Sequence, residues 1–216
     1  MTDYILFDLD GTLTDPGEGI TNSVAYALDK YGIEVTDKST LTPFIGPPLH
    51  ESFRKYFNFS ILQSFDAVTK YREYYRDRGI FENRVYDGII DLLSVLKESG
   101  KTVIMATSKP TVFARRIAEH YDFEKYFDVI VGSELDGTRV DKAEVIEEAL
   151  RQAGVTEKER CVMVGDRMHD IVGAQKNHIS SVGVLYGYGS LEELSDAGAD
   201  VIVNTVEDLK RFLFNK

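Results

Sequence analysis

The chain has one cysteine in 216 residues, Cys161, so it cannot form an internal disulfide. The apolar neighbours Val162-Met163-Val164 mark that thiol as a buried core group rather than a nucleophile. No stretch approaches the ~20 consecutive apolar residues of a membrane span. The opening Met1-Thr2-Asp3-Tyr4 lacks the basic, apolar and small-residue regions of an export signal. These absences lead us to expect a cytoplasmic protein with no membrane attachment. Positive charge is also scarce, with Lys+Arg 25 against Asp+Glu 36 and a net charge of -11. Such a surface repels nucleic acid polymers and anionic lipid, so neither is an expected partner. An anionic ligand must instead be drawn in by a local positive site, either a metal ion or a helix N-terminus. Internal repeats and low-complexity tracts are absent as well.

What is present is an ordinary folded composition, 43% hydrophobic and 28% charged. Short apolar runs recur at Tyr4–Phe7, Thr102–Ala106, Val129–Val131, Cys161–Val164, Ser181–Val184 and Val201–Val203, each reading as a strand buried on both faces. Helical patterns lie between them, such as Ile89, Leu92, Leu93 and Leu96, closed by Gly100. The alternation predicts an α/β fold, a doubly wound and mostly parallel sheet with helices on both faces. The spacing breaks once. About ninety residues separate the first two strands, where a crossover takes roughly thirty.

The surplus predicts an inserted helical domain over 14–86, hinged near Thr14 and Tyr86, with 1–13 and 87–216 forming the Rossmann-like core. The insertion opens with an amphipathic helix (Ile20, Val24, Ala27, Tyr31, stopped at Gly32) and passes a loop, Thr42-Pro43-Phe44-Ile45-Gly46-Pro47-Pro48. Its aromatics (Phe53, Tyr56, Phe57, Phe59, Phe65, Tyr71, Tyr74, Tyr75, Phe81) are read as the core of a small bundle in preference to a base-stacking platform.

Chemistry concentrates at the carboxyl ends of the strands, where α/β sheets bind ligands. Asp8 and Asp10 follow the first strand in Asp8-Leu9-Asp10-Gly11-Thr12, and alternation puts both carboxylates on one side, where they repel and call for a cation. Asp166 and Asp170 follow the fourth run in Gly165-Asp166-Arg167-Met168-His169-Asp170, one helical turn apart and so on one face. If the two strands are neighbours, four carboxylates define an oxygen-only site that suits Mg²⁺ better than Zn²⁺. His169 faces elsewhere and is read as a surface residue. Thr107 and Ser108, closing the second strand, offer hydroxyls and N–H groups to phosphoryl oxygens, or a helix N-cap, or both. Lys142 starts a helix, where the dipole gives a cation nothing, so an anionic target explains it better.

Taken together and in order, these residues resemble the four motifs of the haloacid dehalogenase superfamily: Asp8-Leu9-Asp10-Gly11-Thr12, then Thr107 with Ser108, then Lys142, then Gly165-Asp166 with Asp170. Within it the chain is most similar to the phosphoglycolate-phosphatase-like and 5′-nucleotidase-like branch, through Asp15-Pro16-Gly17-Glu18-Gly19-Ile20, Phe44-Ile45-Gly46-Pro47-Pro48-Leu49 and Tyr186-Gly187-Tyr188-Gly189. The resemblance implies a Mg²⁺-dependent phosphomonoester hydrolase acting on a small phosphate ester through an aspartyl-phosphate. Asp8 would be the nucleophile and Asp10 the general acid and base. Asp8, the carbonyl of Asp10 and Asp166 would hold the metal, with Asp170 ligating directly or through water. Thr107, Ser108 and Lys142 would bind phosphate, and the insertion would be a cap that selects the leaving group, with Gly46 and Arg54 as candidate contacts.

A β-phosphoglucomutase-like mutase and a pyrophosphatase share the motifs. The mutase is disfavoured because Glu18, Thr21 and Asn22 stand where its cap His/Lys pair belongs. A phospho-receiver module is disfavoured by chain length, by the insertion and by the order of its acids. A non-catalytic binding protein is disfavoured by the intact acid set. Substrate identity and oligomeric state are not legible.

Overall fold

In the computed structural model, which describes residues 2–214, strand β1 (Tyr4–Phe7) places Ile5, Leu6 and Phe7 fully out of solvent. There follow β2 (Thr14–Asp15), α1 (Gly17–Asp29), α2 (Leu49–Phe57), α3 (Ile61–Tyr74) and β3 (Arg84–Val85). The chain then alternates through α4 (Ile89–Glu98), β4 (Thr102–Pro110), α5 (Thr111–His120), β5 (Val129–Ser133), α6 (Lys142–Gln152) and β6 (Cys161–Gly165). It ends with α7 (Met168–Lys176), β7 (Ser180–Val184), α8 (Leu191–Asp196), β8 (Val201–Val203) and α9 (Val206–Phe214). By contacts the chain divides into two units, one of Met1–Thr14 with Val85–Lys216 and the other of Asp15–Arg84.

The first unit carries a six-stranded sheet in the order β5-β4-β1-β6-β7-β8, and every pairing is parallel. The chain builds outward from β1 on one side, then returns to β1's other edge for β6. That reversal opens a crevice at the carboxyl ends of β1 and β6, where doubly wound sheets take their ligands. Phe7 lies beside Met105 on one flank and Val164 on the other, so the next residues of the three strands emerge together. Both faces are covered. Leu6, Ile104 and Met163 pack with Val145, Ile146, Ala149 and Ala174 of α6 and α7, while the alternate residues Ile5, Phe7, Val103, Met105 and Val164 are equally buried.

One strand runs longer than its apolar pattern. The sequence predicts an end at Ala106, but β4 continues extended to Pro110, with a shift in its register against β5 between Ala106 and Pro110. Pro110 disfavours helix at Lys109. Three bonds hold the segment and the Thr111 that follows it to β5: Ser133 Oγ donates to Ser108 O (2.7 Å), Thr111 Oγ1 to Ser133 O (3.3 Å) and Gly132 N to Thr111 Oγ1 (3.0 Å). The expected N-cap at Thr107 and Ser108 is therefore not formed. α5 begins after Pro110 with no side-chain cap.

In the second unit, α1 buries Ile20, Val24, Ala27 and Leu28, while Tyr31 lies past the helix end and packs on Phe59, 4.7 Å between centroids. The aromatic core expected there is real but partial. Phe44, Phe53, Phe59, Tyr71 and Tyr75 are buried, and Phe44 meets Phe53 edge-on at 5.0 Å. Tyr56, Phe65 and Phe81 stay on the surface, because they fall on the outward sides of their segments. Ser60 and Gln63 form a reciprocal capping box that starts α3. Among the described residues no helix is long and apolar enough to cross a membrane.

Cys161 lies in β6 at 2% exposure, and burial pushes its thiol up to about 11. From an ordinary pKa near 9, that is about 100-fold fewer thiolates at pH 8. We expect alkylation of the native protein by iodoacetamide, followed by mass spectrometry at pH 8, to be at least that much slower than in 8 M urea.

Candidate active site

Asp8 N donates to Val164 O (2.9 Å), extending the pairing of β1 with β6 by one step and fixing Asp8 at the carboxyl edge of the sheet. Asp166 leaves β6 immediately after Gly165, and Asp170 sits in the first turn of α7. Carboxylate oxygens of Asp8, Asp166 and Asp170 all lie within 4.8 Å of one another, and all three side chains are buried. Two sequence expectations need correction here. Asp166 precedes the helix, so it does not share a helical face with Asp170; the turn between strand and helix folds the two together instead. The cluster also holds three carboxylates and not four, because the carboxylate of Asp10 is engaged elsewhere.

Lys142 enters this cluster from the first position of α6. Its Nζ lies 2.9 Å from Asp8 Oδ1 and 2.8 Å from Asp170 Oδ1, and donates to Ala106 O at 3.1 Å. The helix start is satisfied separately by Asp141, whose carboxylate accepts from Ala143 N (2.7 Å). Lys142 is thus free of any capping duty and is 5% exposed. Burial alone pulls its ammonium toward neutrality, but Asp170 and Asp8 outweigh that and hold the proton more firmly than usual. Among the acids burial dominates. It raises Asp166 well above the ordinary carboxylate range, helped by Asp170 and Asp8, and pushes Asp170 up to about 6 against the pull of Lys142.

Asp166 is held by a tight backbone cage. Its Oδ2 accepts from Tyr188 N (2.8 Å) and its Oδ1 from Thr12 Oγ1 (3.4 Å). Gly11 adopts φ +84, and any Cβ there or at Gly187 would overlap the Asp166 carboxylate. Tyr186 ties this loop to the first motif by donating to Thr12 O (3.1 Å). The Tyr186-Gly187-Tyr188-Gly189 run, noted in the sequence only as a point of resemblance, is therefore a part of the site that spacing alone did not reveal.

Asp10 faces Lys109, whose Nζ is 2.6 Å from Asp10 Oδ2, with both side chains largely buried. Sequence reasoning passed over Lys109, since a lysine inside a Thr-Ser-Lys-Pro turn carries no signal of its own. Burial raises the Asp10 carboxyl, and Lys109 opposes that rise. Thr107 is buried, and its Oγ1 accepts from Lys109 N (3.2 Å), which leaves the hydroxyl proton available. Ser108 is half-buried and its carbonyl is bound to Ser133. His169 is exposed on α7. Gly46 and Arg54 belong to the second unit: Gly46 is exposed at φ +103 and Arg54 is exposed on α2.

The haloacid dehalogenase-like hydrolase family matches residues 5–184. The chain belongs to that family. This haloacid dehalogenase-like hydrolase is 52% identical over 190 residues to a 5′-nucleotidase from Pseudomonas aeruginosa, covering 88% of this chain and 86% of the relative. It is 39% identical over 212 residues to the tyrosine-protein kinase PtkA of Mycobacterium tuberculosis, covering 97% of this chain and 72% of that one. Its structure matches that of a predicted phosphatase from Clostridium acetobutylicum with a TM-score of 0.96 at 49% identity, covering 100% of both chains.

The hydrolase's cage around Asp166 yields a direct test. Gly187→Ala forces a methyl group against Asp166 and Gly11 O. Overpacking of this kind costs about 1–3 kcal/mol, and we expect the urea midpoint to fall correspondingly with an unchanged slope.

Proposed function

We propose that this haloacid dehalogenase-like hydrolase is a Mg²⁺-dependent phosphomonoesterase that passes the phosphoryl group through Asp8 and acts on a small phosphorylated metabolite. One observation carries the reading: a buried ammonium, Lys142, sits between Asp8 and Asp170 with Asp166 close by. An anionic nucleophile repels a dianionic phosphate, and this arrangement puts positive charge where that repulsion has to be overcome. Nucleoside 5′-monophosphates are the first substrate class to test, because the relative at 52% identity is named a 5′-nucleotidase.

The donor set suits the metal. The cluster is three carboxylates with no imidazole or thiolate, as hard cations prefer. Burial has also left Asp166 and Asp170 poorly disposed to ionise, a strain that a divalent cation removes. Asp8, Asp166 and the carbonyl of Asp10 would hold it, with Asp170 directly or through water. When bound, the ion supplies positive charge beside the transferring phosphoryl group.

In this reading a carboxylate oxygen of Asp8 forms a bond to phosphorus while the ester P–O bond breaks, and Asp10 gives its proton to the departing oxygen. Water then attacks the aspartyl-phosphate, its proton passes to Asp10, and the P–O bond to Asp8 breaks to release inorganic phosphate. Lys142 holds Asp8 by Oδ1 throughout, where Leu9 N also donates (2.8 Å). Thr107 directs its hydroxyl proton, and Ser108 its backbone N–H, toward the phosphoryl oxygens. Residues 14–86 serve as the cap that chooses the leaving group, with Gly46 and Arg54 as contacts, and 1–13 with 87–216 as the catalytic core.

Asp8→Asn should lower turnover of every ester by at least about 1,000-fold, measured as phosphate release across nucleoside monophosphates, phosphoglycolate, sugar phosphates and pyrophosphate ranked by kcat/KM. Near-normal turnover in that variant removes Asp8 as the nucleophile. Transfer of label from ATP to protein tyrosine, with no release of phosphate to water, would favour instead the chemistry named for the PtkA relative.

A second test does not depend on activity. Asp166 and Asp170 bind protons more tightly folded than unfolded, so without metal their contribution to stability is greatest at low pH and is lost as pH rises, for Asp170 through about 6. Added Mg²⁺ should therefore raise the Tm of EDTA-treated protein more at pH 7.5 than at pH 5. An equal or absent effect at both values speaks against a cation in this cluster.

A further inference from the structure

We propose that Lys109 is the positioning residue of Asp10: it holds one carboxylate oxygen and leaves the other as the sole site of proton exchange with the leaving group. The inference rests on the phosphomonoesterase reading above and assigns a residue that reading does not use.

The two oxygens of Asp10 are not equivalent. Oδ2 is 2.6 Å from Lys109 Nζ, whereas Oδ1 is buried with no hydrogen-bond partner among the described residues. A buried carboxylate oxygen without a donor is costly unless something that arrives later satisfies it. A proton shared with an ester oxygen does so. An unrestrained carboxyl can rotate and present either oxygen, but a short ion pair on Oδ2 fixes the plane of the group and aims Oδ1.

Lys109 can serve as such a restraint because its own backbone is fixed. Lys109 N donates to Thr107 Oγ1, the nearby Ser108 and Thr111 are bonded to β5 through Ser133 and Gly132, and a Cβ at Gly132 would overlap Lys109 O. The strand continuation from Ala106 to Pro110 thus carries the ammonium to Asp10 on a rigid arm. In the first half-reaction the Asp10 Oδ1–H bond breaks, its proton passes to the ester oxygen, and that oxygen takes the electron pair of the breaking P–O bond as Asp8 bonds to phosphorus. In the second, the proton of the attacking water returns to Oδ1.

The test separates proton delivery from phosphate binding by leaving group. Phenyl phosphate and p-nitrophenyl phosphate are close in shape, but phenolate, with a pKa near that of tyrosine, about 10, needs a proton far more than nitrophenolate does. Lys109→Met should lower kcat/KM for phenyl phosphate about tenfold more than for p-nitrophenyl phosphate. In an Asp10→Asn background the same change should cost little more, because the two residues act as one unit.

Equal losses on both esters, or full additivity with Asp10→Asn, would show Lys109 to be a general phosphate-binding or structural cation and overturn the assignment. Should Lys109→Met fail to fold by circular dichroism, Lys109→Gln, which keeps a donor without charge, is read by the same two criteria. A wild-type chain that hydrolyses neither ester removes the phosphomonoesterase reading and this assignment together, whereas wild-type turnover with a uniform loss removes the assignment alone.

Discussion

Three carboxylates within 4.8 Å of one another, all shielded from solvent, repel strongly, and the ammonium of Lys142 lies among them to make the arrangement tolerable. Much of the architecture of the first unit follows from the need to hold Lys142 against Asp8 and Asp170. The adjacency of β1 and β6 brings the two acidic loops to one edge. Helix α6 is set so that its first residue, which contributes nothing to its own helix terminus, turns inward toward the crevice. A turn between β6 and α7 brings Asp166 and Asp170 together without a shared helical face. Glycines stand wherever a side chain would displace Asp166.

The charge cluster also shapes how the site handles its field. The chain is acidic overall, so its surface repels phosphates at a distance. The compensating positive charge is local and buried: Lys142 beside Asp8 and Lys109 beside Asp10. The two lysines come from different elements and meet different aspartates, so each carboxylate of the first motif is held by its own cation. Asp8 and Asp10 lie two residues apart, yet they face different charged neighbours.

The alternation of apolar strands and helical patterns was enough to foresee a parallel sheet, because residues buried on both faces leave a continuous hydrophobic signature. The surplus of residues between the first two strands had no place in a crossover, and it was this that led to the expectation of an insertion. Asp8, Asp166, Asp170 and Lys142 could be picked out because charge at a strand's carboxyl end, or at a helix start, is locally unfavourable and asks for a reason. Where local reasoning failed, the cause was distant contact. Thr107 and Ser108 were read as a phosphate cradle, a helix cap or both, and of these the cap is not formed, because the strand runs on to Pro110 with Ser108 O bonded to Ser133 of β5. Tyr56, Phe65 and Phe81 looked like core aromatics, but density of aromatic residues does not say which side of a helix or loop faces inward.

The fold class is legible in the chain alone, since hydrophobic period is written in neighbouring residues, and strand-end and helix-start chemistry is enough to single out Asp8, Asp166, Asp170 and Lys142 as candidates. Only the tertiary structure decided that β1 and β6 lie side by side and that Asp10 turns away from the acid cluster. It alone paired Lys109 with Asp10 and closed the Gly187-Tyr188-Gly189 loop on Asp166. Those partners are separated by about one hundred residues or, for the loop, by another strand and helix. Their meeting depends on how the sheet orders its strands, and no local pattern in the chain encodes that distance.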